Sequence, residues 1–261
     1  LVEGGNVTFP SNNSLVQGAS ALFGIRTDMQ FGKLKLQTVL SQKKSSNKSV
    51  SSRGGKQLTP FEIDAAEYEE NRHFFLSQYF RDHYDEAMKS LPNLKTGITI
   101  NRVEVWVTNK SGTTSNTRNI VALTDLGENE RVSRTDLWGT GIGQVPTNNA
   151  NTEYNTIAQG YPAARNIDQV TGILDGAGLV GGNDYEKIAN ARLLNSSEYT
   201  VTPALGYISL RSGLQTDQVL AVAYEYTFGG VTYQVGEFAS DRTDINEALF
   251  VKSLKNTNNS P

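Results

Sequence analysis

The chain has 261 residues, 37% of them hydrophobic and 9% aromatic, which is enough to bury the core of one large or two modest domains. Its 24 basic and 27 acidic residues give a net charge of -3, so no overall field points to nucleic acid or to an anionic membrane surface. The absence of cysteine excludes disulfides, thiolate zinc sites and cysteine nucleophiles. No apolar run is long enough to predict a transmembrane helix. No signal-peptide pattern is present and the chain begins with Leu1, so we expect a piece of a longer protein.

Residues 1–19 are rich in Gly, Asn and Ser, which predicts a loop, and a β-hairpin is predicted at residues 20–42. Apolar and polar side chains alternate on both sides of Gly32, and each arm has about ten residues, the length of a tilted strand that crosses a ~25 Å hydrocarbon layer. The pattern leaves two alternatives open, a hairpin on a soluble core and a hairpin of a membrane β-barrel. In the barrel the side chains facing lipid would be Phe23, Ile25, Met29, Leu34, Leu36 and Leu40, and those facing water Arg26, Asp28, Gln30, Lys35 and Gln37.

A polar tract follows at residues 41–57, where Lys and Arg lie among Ser and Gly with almost nothing apolar. It predicts a mobile loop or linker. The tract lacks the aromatic side chains with which a groove for single-stranded nucleic acid stacks bases, so a nucleic-acid partner is not predicted.

One long core-facing helix is predicted over residues 69–91, ending near Ser90 because Pro92 cannot continue it. Its apolar stripe recurs at steps of four and three: Leu76, Phe80, Tyr84, Met88 and Leu91. A strand over residues 98–107 follows, in which the apolar phase changes at Asn101-Arg102. That change predicts a β-bulge, because an extra residue there keeps both halves facing one side.

The remaining elements follow from shorter patterns. Residues 118–125 predict a strand that forms a hairpin with the strand at 98–107, residues 126–150 predict a loop, and Asp184 is a plausible N-cap. Helices are predicted at about 152–159, 167–174 and 184–194, and strands at 206–210, 219–228, 231–238 and 248–254. The pair Gly229-Gly230 predicts a tight hairpin turn. The helix 69–91 should cover the sheet through Phe80 and Tyr84.

Two histidines are the first candidates for chemistry. Glu70 with His73, and His83 with Glu86, have the three-residue spacing of carboxylate-bridged metal sites. The two histidines lie ten residues apart, about 15 Å along a helix, so they cannot share one metal. Surface pairing or partial burial is the preferred interpretation.

Glycine and acidic motifs supply no catalytic site. Residues 176–181 fit a dinucleotide-binding pattern, but no buried strand precedes them, and the glycines at 139, 141 and 143 lack the Lys and Ser/Thr of a phosphate loop. The acidic turn of Asp125, Glu128 and Glu130 lacks the ligand ladder of a calcium loop. We predict no catalytic, cofactor-binding or metal-binding residue.

Several strings resemble the SprA/Sov family, the outer-membrane translocon of the type IX secretion system of Bacteroidota, which is also needed for gliding motility. They are SALFGIRTDMQFGKLKLQTVLSQKK at 20–44, FEIDAAEYEENRHFFLSQYFRDHYDEAMKSLP at 61–92, INRVEVWVTNK at 100–110, RNIVALTDLGE at 118–128, DYEKIANARLLNSSEYT at 184–200, LGYISLRS at 205–212 and VLAVAYEYTFGGVTYQVGEF at 219–238. The resemblance weakens at 129–183. It implies a fragment of a much larger single-chain β-barrel, with no enzymatic activity and no cofactor, and it favours the barrel interpretation of the hairpin.

The expected fold is therefore α+β and mostly β, with the barrel-type hairpin at 20–42 within residues 1–60. A cap-like insertion domain at 61–240 and a return segment toward the barrel at 241–261 complete it. The resemblance implies a place in the outer membrane with the insertion domain at the cell surface. It also implies partners: the rest of the translocon barrel, a PorV-type shuttle barrel, a periplasmic plug protein and secreted protein substrates, with membrane lipid at 20–42.

A second class of function is kept as an alternative. The tyrosine-rich hairpin at 219–238 would suit a cell-surface adhesion or carbohydrate-binding module, because aromatic rings exposed on a sheet can stack on sugars. Whether the tyrosines are buried or exposed distinguishes the translocon segment from the adhesion or carbohydrate-binding module. Tyr224, Tyr226 and Tyr233 exposed in a row would favour the module, and packing against the helix would count against it.

Overall fold

The structure is a computed structural model that describes residues 2–7, 22–41, 69–89, 91, 93–94 and 96–258. Its contacts divide the chain into an N-terminal unit, Leu1–Glu62, and a C-terminal unit, Ile63–Pro261. The polar tract after Ser41 and the predicted stop at Pro92 lie outside the described residues. The fold is α+β and mostly β, as the sequence predicts.

The N-terminal unit contains a three-stranded antiparallel sheet, β1 (Val2–Val7), β2 (Leu22–Phe31) and β3 (Leu34–Ser41), in that order. The predicted hairpin is confirmed, with Gly32 at φ 61 in its turn. The prediction of a loop at 1–19 is wrong for residues 2–7, which pair with β2. Two glycines in VEGGNV weaken the strand pattern, and the pairing with β2 overrides that local preference.

The C-terminal unit is built on five strands that close into a barrel in the order β5, β10, β12, β6, β7 and back to β5, and β11 extends β10 at one side. The strands are β5 (Ile98–Val107), β6 (Thr117–Leu123), β7 (Tyr185–Leu193), β10 (Leu220–Phe228), β11 (Val231–Val235) and β12 (Leu249–Lys255). A smaller sheet has the order β4-β9-β8, formed by β4 (His73–Phe75), β8 (Tyr199–Thr202) and β9 (Tyr207–Leu210).

The barrel buries both of its faces. Its interior is a cluster to which every barrel strand contributes, rich in alanine and closed at one end by Phe238: Trp106, Ile120, Ala122, Ile188, Ala191, Ala221, Ala223, Leu249 and Val251. The outer face carries Val105, Val121, Val222 and Phe250, and other segments of the unit cover it. Because both faces are buried, β10 is apolar from Leu220 to Tyr224 without alternation.

The prediction of one long helix at 69–91 is wrong. Within the described residues, this stretch forms β4 and two short helices, α1 (Gln78–Asp82) and α2 (Tyr84–Met88). Asn71 has φ 56, which a right-handed helix cannot contain, and His83 at φ -97 and ψ 0 separates α1 from α2. Two residues of the predicted apolar stripe, Leu76 and Phe80, are buried in the core. Leu91, at the end of the stripe, is exposed.

The predicted β-bulge is confirmed at Asn101. Glu225 pairs with Arg102 and Tyr226 with Ile100, which leaves Asn101 as the extra residue of β5. The predicted hairpin between β5 and β6 is wrong. β6 instead pairs antiparallel with β7 and parallel with β12, because the closed barrel places β7 between β5 and β6.

The predicted helix at 184–194 is also wrong, because these residues form β7. A second bulge explains the error: Ala191 pairs with Arg118 and Ile188 with Ile120, so two residues of β7 oppose one of β6. Asn190 takes φ 53 there, and its N–H donates to Asn119 Oδ1 at 3.0 Å. The bulge spaces the buried residues of β7 by three, the spacing of a helix.

Other predicted elements are confirmed at slightly different bounds. Helical turns occupy Glu153–Asn155 (α3) and Thr156–Gly160, and the next helix is α4 (Val170–Gly176). Short 3-10 turns follow at Pro162–Arg165 and Ala239–Asp241. The hairpin of β10 and β11 turns at two glycines of positive φ, as predicted. The strand β12 lies within the predicted return segment at 241–261. It pairs with β10 and β6 and is part of the barrel of the C-terminal unit.

Candidate membrane-facing surface

One face of the N-terminal sheet is apolar. The register pairs Ile25 with Leu40, Met29 with Leu36 and Phe31 with Leu34, so these side chains lie on one side, together with that of Val2 opposite Thr27. We call the set Val2, Ile25, Met29, Phe31, Leu34, Leu36 and Leu40 the apolar face. All seven side chains are exposed, from 39% for Met29 to 71% for Leu40. The predicted lipid-facing residue Phe23 is on β2, but its side chain lies outside the described ones.

The other face of the same sheet is polar. It carries Glu3, Arg26, Asp28, Gln30, Lys35 and Gln37, the predicted aqueous set with Glu3 added by β1. Arg26 donates two hydrogen bonds to Asp28, from Nη2 at 2.8 Å and from Nε at 3.1 Å. This pair of opposite charges two residues apart on one strand is typical of a wetted surface. The sheet therefore separates a mostly apolar side from a mostly polar side, with Val39 opposite Arg26 as an apolar residue on the polar side.

Both lateral edges of this sheet lack a strand partner within the described residues. β1 pairs only with β2, and β3 pairs only with β2, so every second backbone N–H and C=O of each edge strand points outward. Free edges of this kind are templates for further strands. In hydrocarbon each unsatisfied group would cost several kcal/mol, so a membrane sheet needs closure.

The C-terminal unit contains a buried ion pair between Arg165 and Glu237 that connects several of its elements. Arg165 donates from Nη1 and Nη2 to Glu237 at 2.8 and 2.7 Å, and its guanidinium lies 4.1 Å from the Phe250 ring centroid. Glu237 also accepts from Tyr154 Oη at 2.8 Å and from the Phe250 N–H at 3.0 Å. Burial, together with Glu237, raises the pKa of Tyr154 to about 12. Glu237 thus ties the chain after β11 to β12, to α3 and to the turn at Pro162–Arg165.

The acidic turn after β6 is likewise built into the core. Glu128 forms an ion pair with Lys252 at 2.7 Å and accepts the N–H of Gln78 at the start of α1. Asp125 accepts the N–H groups of Ser133 and Arg134 at 2.7 and 2.9 Å. Glu130 is exposed. The turn therefore fastens α1 and the 126–134 loop to β12.

Neither histidine contacts the glutamate three residues away, and both are exposed with local partners, in line with the preferred interpretation of surface pairing. His73 is on β4, where Nε2 lies 2.6 Å from Glu69 rather than from Glu70, and Nδ1 lies 2.8 Å from Ser209 Oγ. His83 Nδ1 lies 2.8 Å from the Tyr79 carbonyl. In the described ranges, no group of three or more His, Asp or Glu side chains is arranged to hold a metal ion. The glycines at 176–181 follow α4 rather than a buried strand.

The tyrosines that motivated a carbohydrate-binding module are buried. Tyr224 and Tyr226 have no exposed surface, and the Phe80 ring lies 6.1 and 5.6 Å from theirs. Tyr233 stacks on Tyr226 at 5.4 Å. This packing contradicts the exposed aromatic row that the alternative needs. Phe80 covers β10 as predicted, but Tyr84 does not, because its ring contacts Phe75 and Tyr207.

No helix in the part of the chain that the structure describes is long and apolar enough to cross a membrane. The features described so far define a class: a β-rich protein with a two-faced sheet and a covered barrel domain.

Residues 2–215 match the SprA_N family model, described as a motility related/secretion protein. The match covers more than half of the chain, and the chain therefore belongs to this SprA family of motility and secretion proteins. No curated protein gives a match.

Proposed function

We propose that this chain is a structural segment of the outer-membrane, protein-conducting translocon of type IX secretion in Bacteroidota. In this proposal β1–β3 belong to the wall of the barrel, and the C-terminal unit is an insertion domain that helps to cap or line the channel. The segment acts by shape and contact and carries no enzymatic activity. Family membership supports the secretion role, and the apolar face carries the membrane assignment.

The apolar face fits a bilayer because its pattern is that of a barrel wall. β2 has ten residues, about 33 Å of strand, which crosses ~25 Å of hydrocarbon when tilted. Seven exposed apolar side chains on one side would need a cover in water, whereas lipid supplies one. The free edges of β1 and β3 would be satisfied by neighbouring strands of the same barrel.

The connections support an orientation with the insertion domain at the cell surface. β2 and β3 are joined by the two-residue turn Gly32-Lys33, whereas long connections leave the opposite ends of both strands, at residues 8–21 and after Ser41. Outer-membrane barrels have short periplasmic turns and longer extracellular loops. The chain after Ser41 would therefore depart on the outer side.

The proposed partners follow from this placement. The remaining barrel strands adjoin β1 and β3, the polar face borders the aqueous interior through which secreted proteins pass, and a PorV-type shuttle barrel contacts the outer part. A periplasmic plug protein would meet the opposite end of the pore. The covered barrel of the C-terminal unit gives such contacts a rigid support, since both of its faces are buried.

Paired single-cysteine variants test the membrane assignment; this chain has no native cysteine, and the unsubstituted translocon carried through the same labelling gives the background from the rest of the protein. Leu36→Cys and Gln37→Cys are adjacent on β3 but belong to opposite faces. In the intact translocon in outer-membrane vesicles, we expect a lipid-soluble quencher to reach a probe at position 36 and a water-soluble maleimide to react at position 37. Met29→Cys and Asp28→Cys form the matched pair on β2. Reaction of positions 36 and 29 with the water-soluble reagent at the rates of positions 37 and 28 would refute the proposal.

A further inference from the structure

Glu153, the first residue of α3, is a buried carboxyl group without a counter-charge of its own. It is 1% exposed, and its Oε2 has no hydrogen-bond partner among the described residues. Its backbone is anchored: the N–H donates to Asn151 Oδ1 at 2.8 Å, and the carbonyl accepts the N–H of Thr156. A buried carboxyl group in this position is stable as the neutral acid, because the ionised form would lose its hydration without compensation.

The charged groups around Glu153 are already paired with one another. Lys252 on β12 binds Glu128 and donates to the Leu126 carbonyl at 3.0 Å, and Arg134 forms an ion pair with Asp184. Asp125 is satisfied by backbone N–H groups. Burial, with the added repulsion of Asp125 and Asp184, raises the pKa of Glu153 well above its ordinary value, and the attraction of Lys252 offsets this only in part.

Asn151, two residues before Glu153, links this carboxyl to the loop after β6. It is 2% exposed, and its Nδ2 donates to the Asp125 carbonyl at 2.7 Å and to the Glu128 carbonyl at 2.8 Å. The same loop holds Lys252 and the start of α1 through the Glu128 carboxylate. A charge at Glu153 would therefore act on the junction between α3, this loop and β12.

We propose that Glu153 is a proton-controlled latch: the closed packing of α3 beside the loop after β6 and β12 accommodates only the neutral carboxyl, and ionisation of that carboxyl releases α3 and Asn151. The opened form loses one proton relative to the closed form. Opening therefore becomes easier as pH rises from about 4.5 toward the folded-state pKa of Glu153, and below 4.5 the latch is fully closed.

Hydrogen exchange on the chain and on Glu153→Gln tests the latch. Gln keeps the size of the side chain and cannot ionise. We expect the exchange rate of amides 151–157, taken as a ratio of the unmodified chain to E153Q, to rise by up to ~10-fold per pH unit above about pH 4.5 and to level off once Glu153 is ionised. Glu130→Gln, which changes an exposed carboxyl in the loop after β6, is the matched control and should leave the pH dependence of the unmodified chain unchanged.

An infrared spectrum gives a second readout that does not depend on how E153Q folds. The unmodified chain should show the C=O stretch of a protonated carboxyl at a pH where ordinary carboxyl groups are ionised, and this band should disappear where the exchange ratio levels off. A ratio that stays constant with pH, or the absence of a carboxyl that remains protonated above the ordinary range, would overturn the proposal.

Discussion

The barrel of the C-terminal unit and the N-terminal sheet solve opposite problems. The barrel of the C-terminal unit has an alanine-rich interior and covers its outer face with other segments of the unit, so strands such as β10 are apolar on both sides. The N-terminal sheet alternates along most of β2 and β3 and leaves one apolar side exposed and its two edges unpaired within the described residues. The barrel is complete within its own unit, whereas in the proposed function lipid covers the apolar side of the N-terminal sheet and further strands pair with its edges.

The largest effect on stability should come from truncating Phe80, whose side chain packs on β10 of the barrel. Its ring packs on those of Tyr224 and Tyr226, and a Cβ at Gly206 would collide with it. Phe80→Ala should lower the free energy of unfolding by ~3–5 kcal/mol, measured by urea denaturation. Leu91→Ala, at an exposed apolar residue of the same predicted stripe, should change it by less than ~0.5 kcal/mol. A loss under ~1 kcal/mol at Phe80 would mean that the barrel does not depend on this cover.

The sequence predicts the N-terminal sheet better than the barrel, for a physical reason. Alternation specifies a strand with one buried or lipid-facing side, so β2, β3, the apolar face and the hairpin turn could be derived. Strands buried on both faces carry no such signal about their neighbours, so the pairing of β6 with β12 was missed. β1 was missed because it offers only two valines among polar residues and glycines.

Local geometry and long-range pairing explain the other failures. The bulge at Asn101 could be predicted because it changes the phase of a clear apolar pattern, whereas the bulge at Asn190 gave β7 the spacing of a helix. The Arg165 and Glu237 pair joins residues 72 positions apart, and neither side chain stands in a recognisable motif. Buried ion pairs of this kind are visible only when the fold is known.

The same ion pair gives the next test of how the covered barrel is held. Arg165→Met keeps much of the side-chain volume but removes one of the two cations that contact Glu237. The remaining cation is Arg242, whose Nη2 lies 3.1 Å from Glu237 Oε1. We expect a loss toward the lower end of ~3–5 kcal/mol in the free energy of unfolding at neutral pH. An unchanged free energy of unfolding would show that Arg242 alone compensates Glu237.

The pH dependence sharpens this test. Burial acts to raise the pKa of Glu237, but the bonds from Arg165 and the Phe250 N–H hold it below its ordinary 4.5. A lowered folded-state pKa contributes stability that is present above about 4.5 and is lost as pH falls through the folded value. Denaturation in urea across this acid range should show that loss in the unmodified chain and a weaker one in Glu237→Gln. Equal acid sensitivity of the two would contradict the role given to Glu237.

A charged substitution is the most direct test of whether the apolar face contacts lipid. In water, Ile25→Arg changes an exposed side chain and should alter the stability of the isolated chain by less than ~0.5 kcal/mol. In the membrane-inserted protein the same change should cost ~2–4 kcal/mol, because the guanidinium would lie in hydrocarbon. Asp28→Arg, on the polar face, should cost little in either setting and act mainly on transport. Unfolding in lipid vesicles and in buffer gives both numbers, and an equal cost of Ile25→Arg in the two media would remove the case for a lipid-facing side.

The smallest expected effect concerns the bulge that distinguishes β7 from a regular strand. Asn190 holds φ 53, a left-handed conformation that Asn tolerates better than most residues because its short polar side chain can hydrogen-bond locally. Asn190→Ala should cost ~1 kcal/mol, since the added strain has no compensating bond and the side chain is exposed. Asn190→Gly should be close to neutral, because glycine adopts this φ freely while its greater freedom in the unfolded chain offsets part of the gain. A higher thermal unfolding midpoint for Asn190→Gly than for Asn190→Ala would confirm the bulge. The reverse order would mean that β7 runs as a regular strand, and its residues spaced by three would then need another explanation.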